Sequence, residues 1–169
     1  MDSLHKEIKV LLVCLGNICR SPLAEGIFKQ LVKLNQLDGF FYLDSAGTSD
    51  YHVGASPDQR AHEVAADYGV ELVHKARQFI RADFQLFDYI LVMDHLNYDA
   101  VLSLAQSNGE QYKVFLLRSF DKQSADYYDV PDPYYGCAED FLEISTILQR
   151  SIEGFLNFLT EEGKLPRQF

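Results

Sequence analysis

The chain has 169 residues, of which 47% are hydrophobic and 24% charged, and its formal net charge at pH 7 is -10. This composition excludes a disordered chain and predicts one folded domain over residues 1–169. The negative charge, without a run of Lys or Arg, argues against binding to nucleic acid or to an anionic membrane. It does not exclude a small anionic substrate, since a few local donors can bind an anion against an acidic background.

The three cysteines bear on where the protein is located. Their number is odd, the early apolar run Ile8–Leu15 is too short to span a bilayer, and it lacks a signal-peptide cleavage site. A reducing compartment suits such a chain better than a disulfide framework does. We therefore expect a cytoplasmic protein, with a mature secreted domain as the alternative.

The first part of the chain predicts two strands, each followed by a helix. Val10–Val13 lie in an apolar run that is typical of a strand buried on both faces. Ser21 and Pro22 suit the N-cap and first position of a helix. That helix has apolar residues at helical spacing, which are Leu23, Ile27, Leu31 and Leu34. Gly39–Ala46 predicts the second strand, and Ser56–Gln59 resembles a capping box for a second helix that ends at Gly69.

The second part of the chain continues the alternation. Asp88–Met93 predicts a third strand, and a helix follows from Leu96 to Ser107, ended by Asn108 and Gly109. Tyr112–Leu117 predicts a fourth strand. A long loop, Arg118–Cys137, then leads to a final helix whose apolar face comprises Phe141, Ile144, Leu148, Ile152, Phe155 and Leu159. Alternating strands and helices predict a doubly wound α/β sandwich around a parallel sheet.

The loop after the first strand has the composition of an anion-binding site. Ligands of parallel α/β sheets bind outside the carboxyl ends of the strands, where the next helix presents unpaired amides and partial positive charge. Gly16 permits close approach of the backbone, Asn17 tolerates a left-handed conformation, and Arg20 can clamp two oxygens of the anion. The predicted phosphate-binding residues are Cys14, Leu15, Gly16, Asn17, Ile18, Cys19 and Arg20.

The same positive field favours a thiolate at Cys14, which would make this residue a nucleophile. From the residues alone, Cys14 can equally be a small buried hydrophobe. Ser21 is either an N-cap or a donor to the Cys14 sulfur. Cys19 is either a core residue or a resolving thiol that forms a reversible disulfide with Cys14. We expect no metal, because a zinc site would need a second cluster of Cys or His.

The stretch Val13–Pro22, VCLGNICRSP, resembles the active-site loop of the low-molecular-weight protein tyrosine phosphatases, a Cys-x5-Arg-Ser pattern. Asp132–Tyr135, DPYY, resembles a second signature of that family. Asp44–Ser49, His74–Phe79 and Phe87–Asp94 are similar to further family segments in the same order. The resemblance implies a three-layer α/β sandwich with a four-stranded parallel sheet of order 2-1-3-4, of the flavodoxin-like type.

The resemblance also implies a reaction, the hydrolysis of phosphotyrosine in proteins and of small aryl phosphates through a cysteinyl-phosphate intermediate. Cys14 would be the nucleophile, Arg20 and the loop amides would bind the phosphate, and Asp132 would be the general acid and then the base. From the residues alone, Asp132 has only one argument, the stiffening of its backbone by Pro131 and Pro133. The family needs no cofactor, and inorganic phosphate or another oxyanion would bind in the loop.

Further roles follow from the resemblance alone. Asn17, Ser21, Ser45 and His74 match residues that support the loop by hydrogen bonds. Without it, Ser45 reads as a turn residue and His74 as an exposed loop histidine. The residues that match the walls of the substrate cleft, where rings can stack on a phenyl group, are Tyr51, Tyr134 and Tyr135. Tyr134 and Tyr135 also resemble sites of regulatory phosphorylation. We expect a monomer that acts on tyrosine-phosphorylated proteins.

Three other functions compete with this interpretation. A protein arginine phosphatase on the same scaffold tends to have threonine in place of Ile18 and often lacks the second tyrosine of the acid signature, so Ile18 and Tyr135 favour phosphotyrosine. A thiol-dependent arsenate reductase needs a further cysteine pair, whereas only Cys137 follows the loop. A non-enzymatic anion-binding module would leave the nucleophile and the acid without a purpose.

Overall fold

The structure is a computed structural model and describes residues 5–167. Within that range, four strands form one parallel sheet with the order β2-β1-β3-β4. The strands are β1 (Ile8–Cys14), β2 (Phe41–Gly47), β3 (Tyr89–Val92) and β4 (Val114–Leu116). The predicted parallel sheet and its order are therefore confirmed. The predicted domain of residues 1–169 extends at both ends beyond the described residues.

Six helices accompany the sheet in the described part of the chain. They are α1 (Arg20–Leu34), α2 (Gln59–Asp67), α3 (Asp83–Leu86), α4 (His95–Leu102), α5 (Asn108–Gln111) and α6 (Ala138–Glu161). Two short 3-10 turns, Asp38–Phe40 and Leu117–Phe120, precede β2 and follow β4. Among the helices of residues 5–167, none combines the length and the apolar character that crossing a bilayer requires.

The alternating side chains of β1 divide the core into two layers. Val10 and Leu12 pack on the side of α1, α2 and α6, while Leu11 and Val13 pack on the side of α3 and α4. Successive side chains of a strand point to opposite faces, so an uninterrupted apolar run is what a strand covered on both faces requires. The central position of β1 places its carboxyl end, at Cys14, in the middle of one edge of the sheet.

Two predicted helix starts are wrong. Cys19, not Ser21, occupies the N-cap position of α1, and the helix begins at Arg20. The cap of α2 is Asp58, whose carboxylate accepts from the Arg60 amide, rather than Ser56 of the supposed capping box. In both places proline lies near the helix start without fixing its position. Asp58 supplies a capping carboxylate to α2, whereas the Cys19 side chain makes no capping bond at α1.

The region after β3 also differs from the prediction. The helix expected to run to Ser107 ends at Leu102, and Asn108 and Gly109 begin the short helix α5 instead of ending a helix. The Ser107 hydroxyl accepts from the Glu110 amide, so Ser107 caps α5 at its N-terminus. Two parts of the chain before β3 differ from the prediction as well. Leu34, expected on the apolar face of α1, is 67% exposed. The short helix α3 lies where no helix was predicted.

Candidate active site

The loop between β1 and α1 connects the last strand residue, Cys14, to the first helical residue, Arg20. Its carbonyl groups are engaged outside the loop: those of Cys14, Leu15 and Ile18 accept from amides of other segments at 2.8, 3.0 and 2.7 Å. The amides of the loop differ from its carbonyls. Of the amides of residues 15–19, only the Asn17 amide donates to an acceptor in the described part of the protein. Unpaired amides beside a helix N-terminus suit an anion-binding site.

Cys14 lies at the floor of this loop and is 3% exposed. Its Sγ atom accepts from the Asn17 amide at 3.3 Å and lies 3.0 Å from the Ser21 hydroxyl. The Ser21 oxygen accepts from Asn17 Nδ2 at 2.8 Å, and its single hydroxyl proton can be donated to the sulfur or to the Ala46 carbonyl, which lies 3.4 Å away. Both neighbours are thus placed to donate to a thiolate.

Asn17 organises the support of the loop. Its φ of 57° is left-handed, a conformation that asparagine tolerates better than most residues. Its Nδ2 group donates to Ser21 Oγ and, at 3.0 Å, to Ser45 Oγ. Its Oδ1 atom lies 2.7 Å from His74 Nε2 and accepts from the Arg77 amide at 3.0 Å. The four residues expected to support the loop therefore come together around this one buried amide.

Arg20 is almost completely buried and points towards two acidic residues. Its Nη1 group donates to Asp94 Oδ2 at 2.7 Å and to the Val130 carbonyl at 2.9 Å, and its Nη2 group lies 3.4 Å from Asp132 Oδ2. Burial opposes the charge, but Cys14, Asp94 and Asp132 outweigh it, so the pKa of the Arg20 guanidinium lies above its ordinary value. The guanidinium is therefore held in place by contacts within the protein.

Asp132 lies across the cleft from the loop. Its side chain is 42% exposed, and its Oδ1 atom accepts from the Tyr134 amide at 3.1 Å. A cleft of about 140 Å³ joins Asp132 to Cys14 and Arg20. Tyr51, Tyr134 and Tyr135 line the same cleft. The cleft thus joins the residues that the sequence suggested for catalysis, phosphate binding and the walls, with the exception of Asn17, whose amide donates to Cys14 Sγ.

Comparison with known proteins agrees with this geometry. The family described as low molecular weight phosphotyrosine protein phosphatase matches residues 9–165. The chain belongs to this family. The low molecular weight phosphotyrosine protein phosphatase of Sus scrofa is 42% identical over 87% of this chain and 92% of its own length.

Two solved structures are informative neighbours of this phosphatase. A protein tyrosine phosphatase from Entamoeba histolytica, crystallised with Hepes in the active site, has a TM-score of 0.86 and 38% identity, and the match covers 94% of this chain and 100% of that one. A Drosophila arginine phosphatase has a TM-score of 0.83 and 34% identity, with 89% of this chain and 97% of that one covered. The scaffold is therefore shared by proteins named for two different phosphorylated residues.

Two residues of the phosphatase site were missed by the sequence analysis. Asp94, which follows β3 after Met93, binds Arg20 through one carboxylate oxygen and caps α4 through the other, which accepts from the Asn97 amide at 2.8 Å. Its position at the carboxyl end of a parallel strand was the available signal. His52 lines the cleft and packs so closely on Gly16 that a Cβ there would lie 2.8 Å from its ring. No local pattern marks His52.

The two remaining cysteines have different surroundings. Cys19 is the last residue of the loop and is buried, and burial, followed by the charges of Asp58, Cys14 and Asp132, raises the pKa of its thiol to about 12. Cys137 is exposed and donates to Asp140 near the start of α6. Cys19 is therefore a protonated thiol at neutral pH, and Cys137 does not belong to the cleft.

Potential metal ligands occur behind the loop, where side-chain atoms of Glu25, Asp44 and His74 lie within 4.8 Å of one another. Each already has a protein partner: Glu25 binds Lys29, Asp44 binds Arg77, and His74 binds Asn17. We therefore assign this cluster to the support of the loop. A larger cavity of about 610 Å³ lies elsewhere, around Tyr89 and Lys164, and none of the residues assigned by the resemblance lines it.

Proposed function

We propose that this phosphatase hydrolyses phosphotyrosine in proteins, and small aryl phosphates, through a cysteinyl-phosphate intermediate. The observation that carries the proposal is the convergence of Cys14, Arg20 and Asp132 on one cleft of about 140 Å³. The family match supports it, because the relatives it joins are named for phosphotyrosine.

In the first step, Cys14 Sγ attacks phosphorus in line with the ester bond. The S–P bond forms as the P–O bond to the phenol breaks, and the Asp132 carboxyl gives its proton to the departing phenolate oxygen. The loop amides and Arg20 bind the three equatorial oxygens, whose charge is spread in the transition state. The bonds from Arg20 to Asp94 and Val130 orient the guanidinium for this task.

In the second step, the Asp132 carboxylate removes a proton from water, and the resulting hydroxide attacks phosphorus. The S–P bond breaks, inorganic phosphate leaves, and sulfur departs as a thiolate. Ser21, with its oxygen 3.0 Å from Cys14 Sγ, can donate to that thiolate and make it a better leaving group. Asp132 ends the cycle protonated, which is the state in which it began.

The cleft walls favour an aromatic ester. Tyr51 and Tyr135 are largely exposed at the mouth, and the Tyr134 ring lies 4.8 Å from that of Tyr135 in an edge-to-face arrangement. Such rings can stack on the phenyl group of phosphotyrosine. We further propose that the protein acts as a monomer in a reducing compartment such as the cytoplasm, since one chain supplies all these groups and Cys14 must remain a free thiol.

The decisive test is a comparison of phosphotyrosine, phosphoserine and phosphoarginine as substrates for the wild type and for Cys14→Ser. We expect release of phosphate from phosphotyrosine by the wild type and none above background by the variant. Cys137→Ser is the matched control, because it removes an exposed thiol outside the cleft and should retain full activity. Hydrolysis that survives Cys14→Ser would reject Cys14 as the nucleophile.

Phosphoarginine is the second candidate substrate, favoured by the similarity to the Drosophila arginine phosphatase. The same nucleophile would then break a P–N bond, with Asp132 protonating the departing guanidine. Ile18 and the exposed ring of Tyr135 favour the aryl ester. A higher kcat/KM for phosphoarginine than for phosphotyrosine in the same assay would reverse this choice.

A further inference from the structure

The first turn of α2 contacts both loops of the cleft. The Asp58 amide donates to the Ile18 carbonyl of the phosphate-binding loop at 2.7 Å. Two residues later, Arg60 donates from Nη2 to the Tyr134 carbonyl at 2.9 Å and from Nη1 to the Gly136 carbonyl at 2.8 Å. One helical turn therefore connects the loop that holds the nucleophile to the loop that holds Asp132.

Arg60 is itself held rigidly. Its Nε and Nη2 groups donate to the two Asp58 oxygens, each at 2.9 Å. The guanidinium also lies over the Phe141 ring, 4.5 Å from its centroid. A planar guanidinium that binds a carboxylate with two parallel bonds has little freedom left, so its other N–H groups present a fixed pair of donors to the loop carbonyls.

Asp132 depends on the backbone that Arg60 holds. Among the described residues, the only donors to its carboxylate are the Tyr134 amide at 3.1 Å and Arg20 at the longer distance of 3.4 Å. Tyr134 therefore links Arg60 to Asp132, because its carbonyl accepts from Arg60 and its amide donates to the Asp132 carboxylate. Movement of Tyr134 would move the carboxylate away from the leaving oxygen, and proton transfer requires a separation of about 2.6–3.2 Å.

We propose that Arg60 is a positioning residue that holds the 132–136 segment over the phosphate-binding loop and thereby places Asp132 for proton transfer. The proposal rests on the proposed function, since it assigns Arg60 a role through Asp132 and none in binding phosphate. Asp58 connects Arg60 to the phosphate-binding loop, because its amide donates to the Ile18 carbonyl and its carboxylate accepts from Arg60.

A leaving-group series tests the proposal. For aryl phosphates, kcat/KM includes the steps up to departure of the phenol, so it reports on protonation by Asp132. In Arg60→Ala we expect kcat/KM to fall about tenfold for phenyl phosphate, a part of the 10²–10⁴-fold that general acid catalysis supplies. The fall should be about twofold or less for p-nitrophenyl phosphate, whose leaving group needs little protonation. Arg60→Lys, which can hold only one carbonyl, should lie between.

Arg150→Ala is the matched control. Arg150 also pairs with one aspartate through Nε and Nη2, and its side chain is 28% exposed, against 29% for Arg60. Its partner, Asp121, lies outside the cleft. Both alanine variants should lose thermal stability, and Arg150→Ala should lose more because its partner Asp121 is the more buried carboxylate. Only Arg60→Ala should steepen the dependence of kcat/KM on the leaving group.

A double variant identifies the residue through which Arg60 acts. If Arg60 acts through Asp132, Asp132→Ala with Arg60→Ala should be no slower than Asp132→Ala alone. Equal losses for all leaving groups in Arg60→Ala, or additive losses in the double variant, would overturn the positioning role while the phosphatase activity stands. A wild type that hydrolyses no aryl phosphate would instead overturn the proposed function, so the two failures are distinguishable.

Discussion

The two loops that meet in the cleft are held in opposite ways. The phosphate-binding loop is supported by buried side chains, with Asn17 and Ser21 fully buried and joined to Ser45 and His74. The loop that carries Asp132 is exposed, and Tyr135 at its tip is 96% exposed. Its backbone is held from outside the loop, since the Val130 amide donates to the Met93 carbonyl and the Arg60 side chain donates to the Tyr134 and Gly136 carbonyls.

This difference corresponds to two demands of the reaction. The transferred group is the same in every turnover, so a preorganised site with fixed donors lowers the barrier most effectively. The leaving group changes with the substrate, and an exposed loop can meet side chains of different size. We infer that the buried loop determines the rate of phosphoryl transfer, while the exposed loop determines protonation and the choice of leaving group.

Among variants that keep the nucleophile Cys14, the largest effect is expected from the exposed loop. Asp132→Ala should slow hydrolysis of phosphotyrosine and phenyl phosphate by about 10²–10⁴-fold, because the phenolate must leave unprotonated. The loss should be much smaller for p-nitrophenyl phosphate, and steady-state kinetics on the three substrates measures the difference.

Asp126→Asn is the control for Asp132→Ala, since Asp126 is an exposed acid of the same loop that lies outside the cleft. It should leave the rates unchanged. An equal loss for all three substrates in Asp132→Ala would show that the carboxylate does not protonate the leaving group, and the assignment of roles to the two loops would fail.

A smaller loss of rate is expected from the support of the buried loop. Asn17→Ala leaves several buried partners unpaired, at about 1–3 kcal/mol for each group, and the loop that holds Cys14 shifts. We expect kcat/KM to fall about 10–100-fold for good and poor leaving groups alike, since misplacement by about 1 Å has effects of that size. The melting temperature should fall by about 2–4 °C per kcal/mol lost.

Gln36→Ala separates the hydrogen bonds of Asn17 from its backbone conformation. Gln36 has the same φ of 57° but is exposed and does not line the cleft. In Gln36→Ala the free energy of unfolding should fall only by the small cost of placing alanine in the left-handed conformation, and the rate should not change. A loss in Asn17→Ala no larger than that in Gln36→Ala would mean that the side-chain network does not preorganise the loop.

The comparison of the loops also explains what the sequence could predict. The strands and the phosphate-binding loop depend on local patterns, an apolar run followed by Cys-x5-Arg, and the structure reproduces both. The start of α1 does not follow from such a pattern, since the Ser21 side chain is used by Cys14 and Asn17 instead of a backbone amide. From the sequence, a serine followed by proline suggests a helix N-cap, and only the spatial neighbours of Ser21 show that its hydroxyl has another use.

The residues that the sequence left out act across long separations. Arg60 contacts the loop 74 residues later in the chain, and Asp94 contacts Arg20 across the same number of residues. Charged residues are numerous in this chain, and single-sequence patterns do not say which of them pair. The role proposed for Asp132 was accessible only through the resemblance, because proline on either side restricts a backbone without specifying a partner.

The smallest expected effect concerns the thiol of Cys19, which should contribute nothing to turnover. Peroxide should oxidise Cys14 to a sulfenic acid, and attack by the Cys19 thiolate would then form a disulfide and release hydroxide. Because burial beside Asp58 raises the pKa of Cys19 to about 12, the thiolate is scarce at neutral pH. The rate of disulfide formation should therefore rise about tenfold per pH unit between pH 7 and 9.

Mass spectrometry of the oxidised protein measures the Cys14–Cys19 linkage at each pH. Cys19→Ser should keep the wild-type kcat/KM but recover several-fold less activity on addition of dithiothreitol, since the sulfenic acid proceeds to irreversible forms. Cys137→Ser should behave as the wild type. A linkage that is absent, or that forms at a rate independent of pH, would make Cys19 a core residue only. The buried loop would then hold Cys14 in place without protecting it from oxidation.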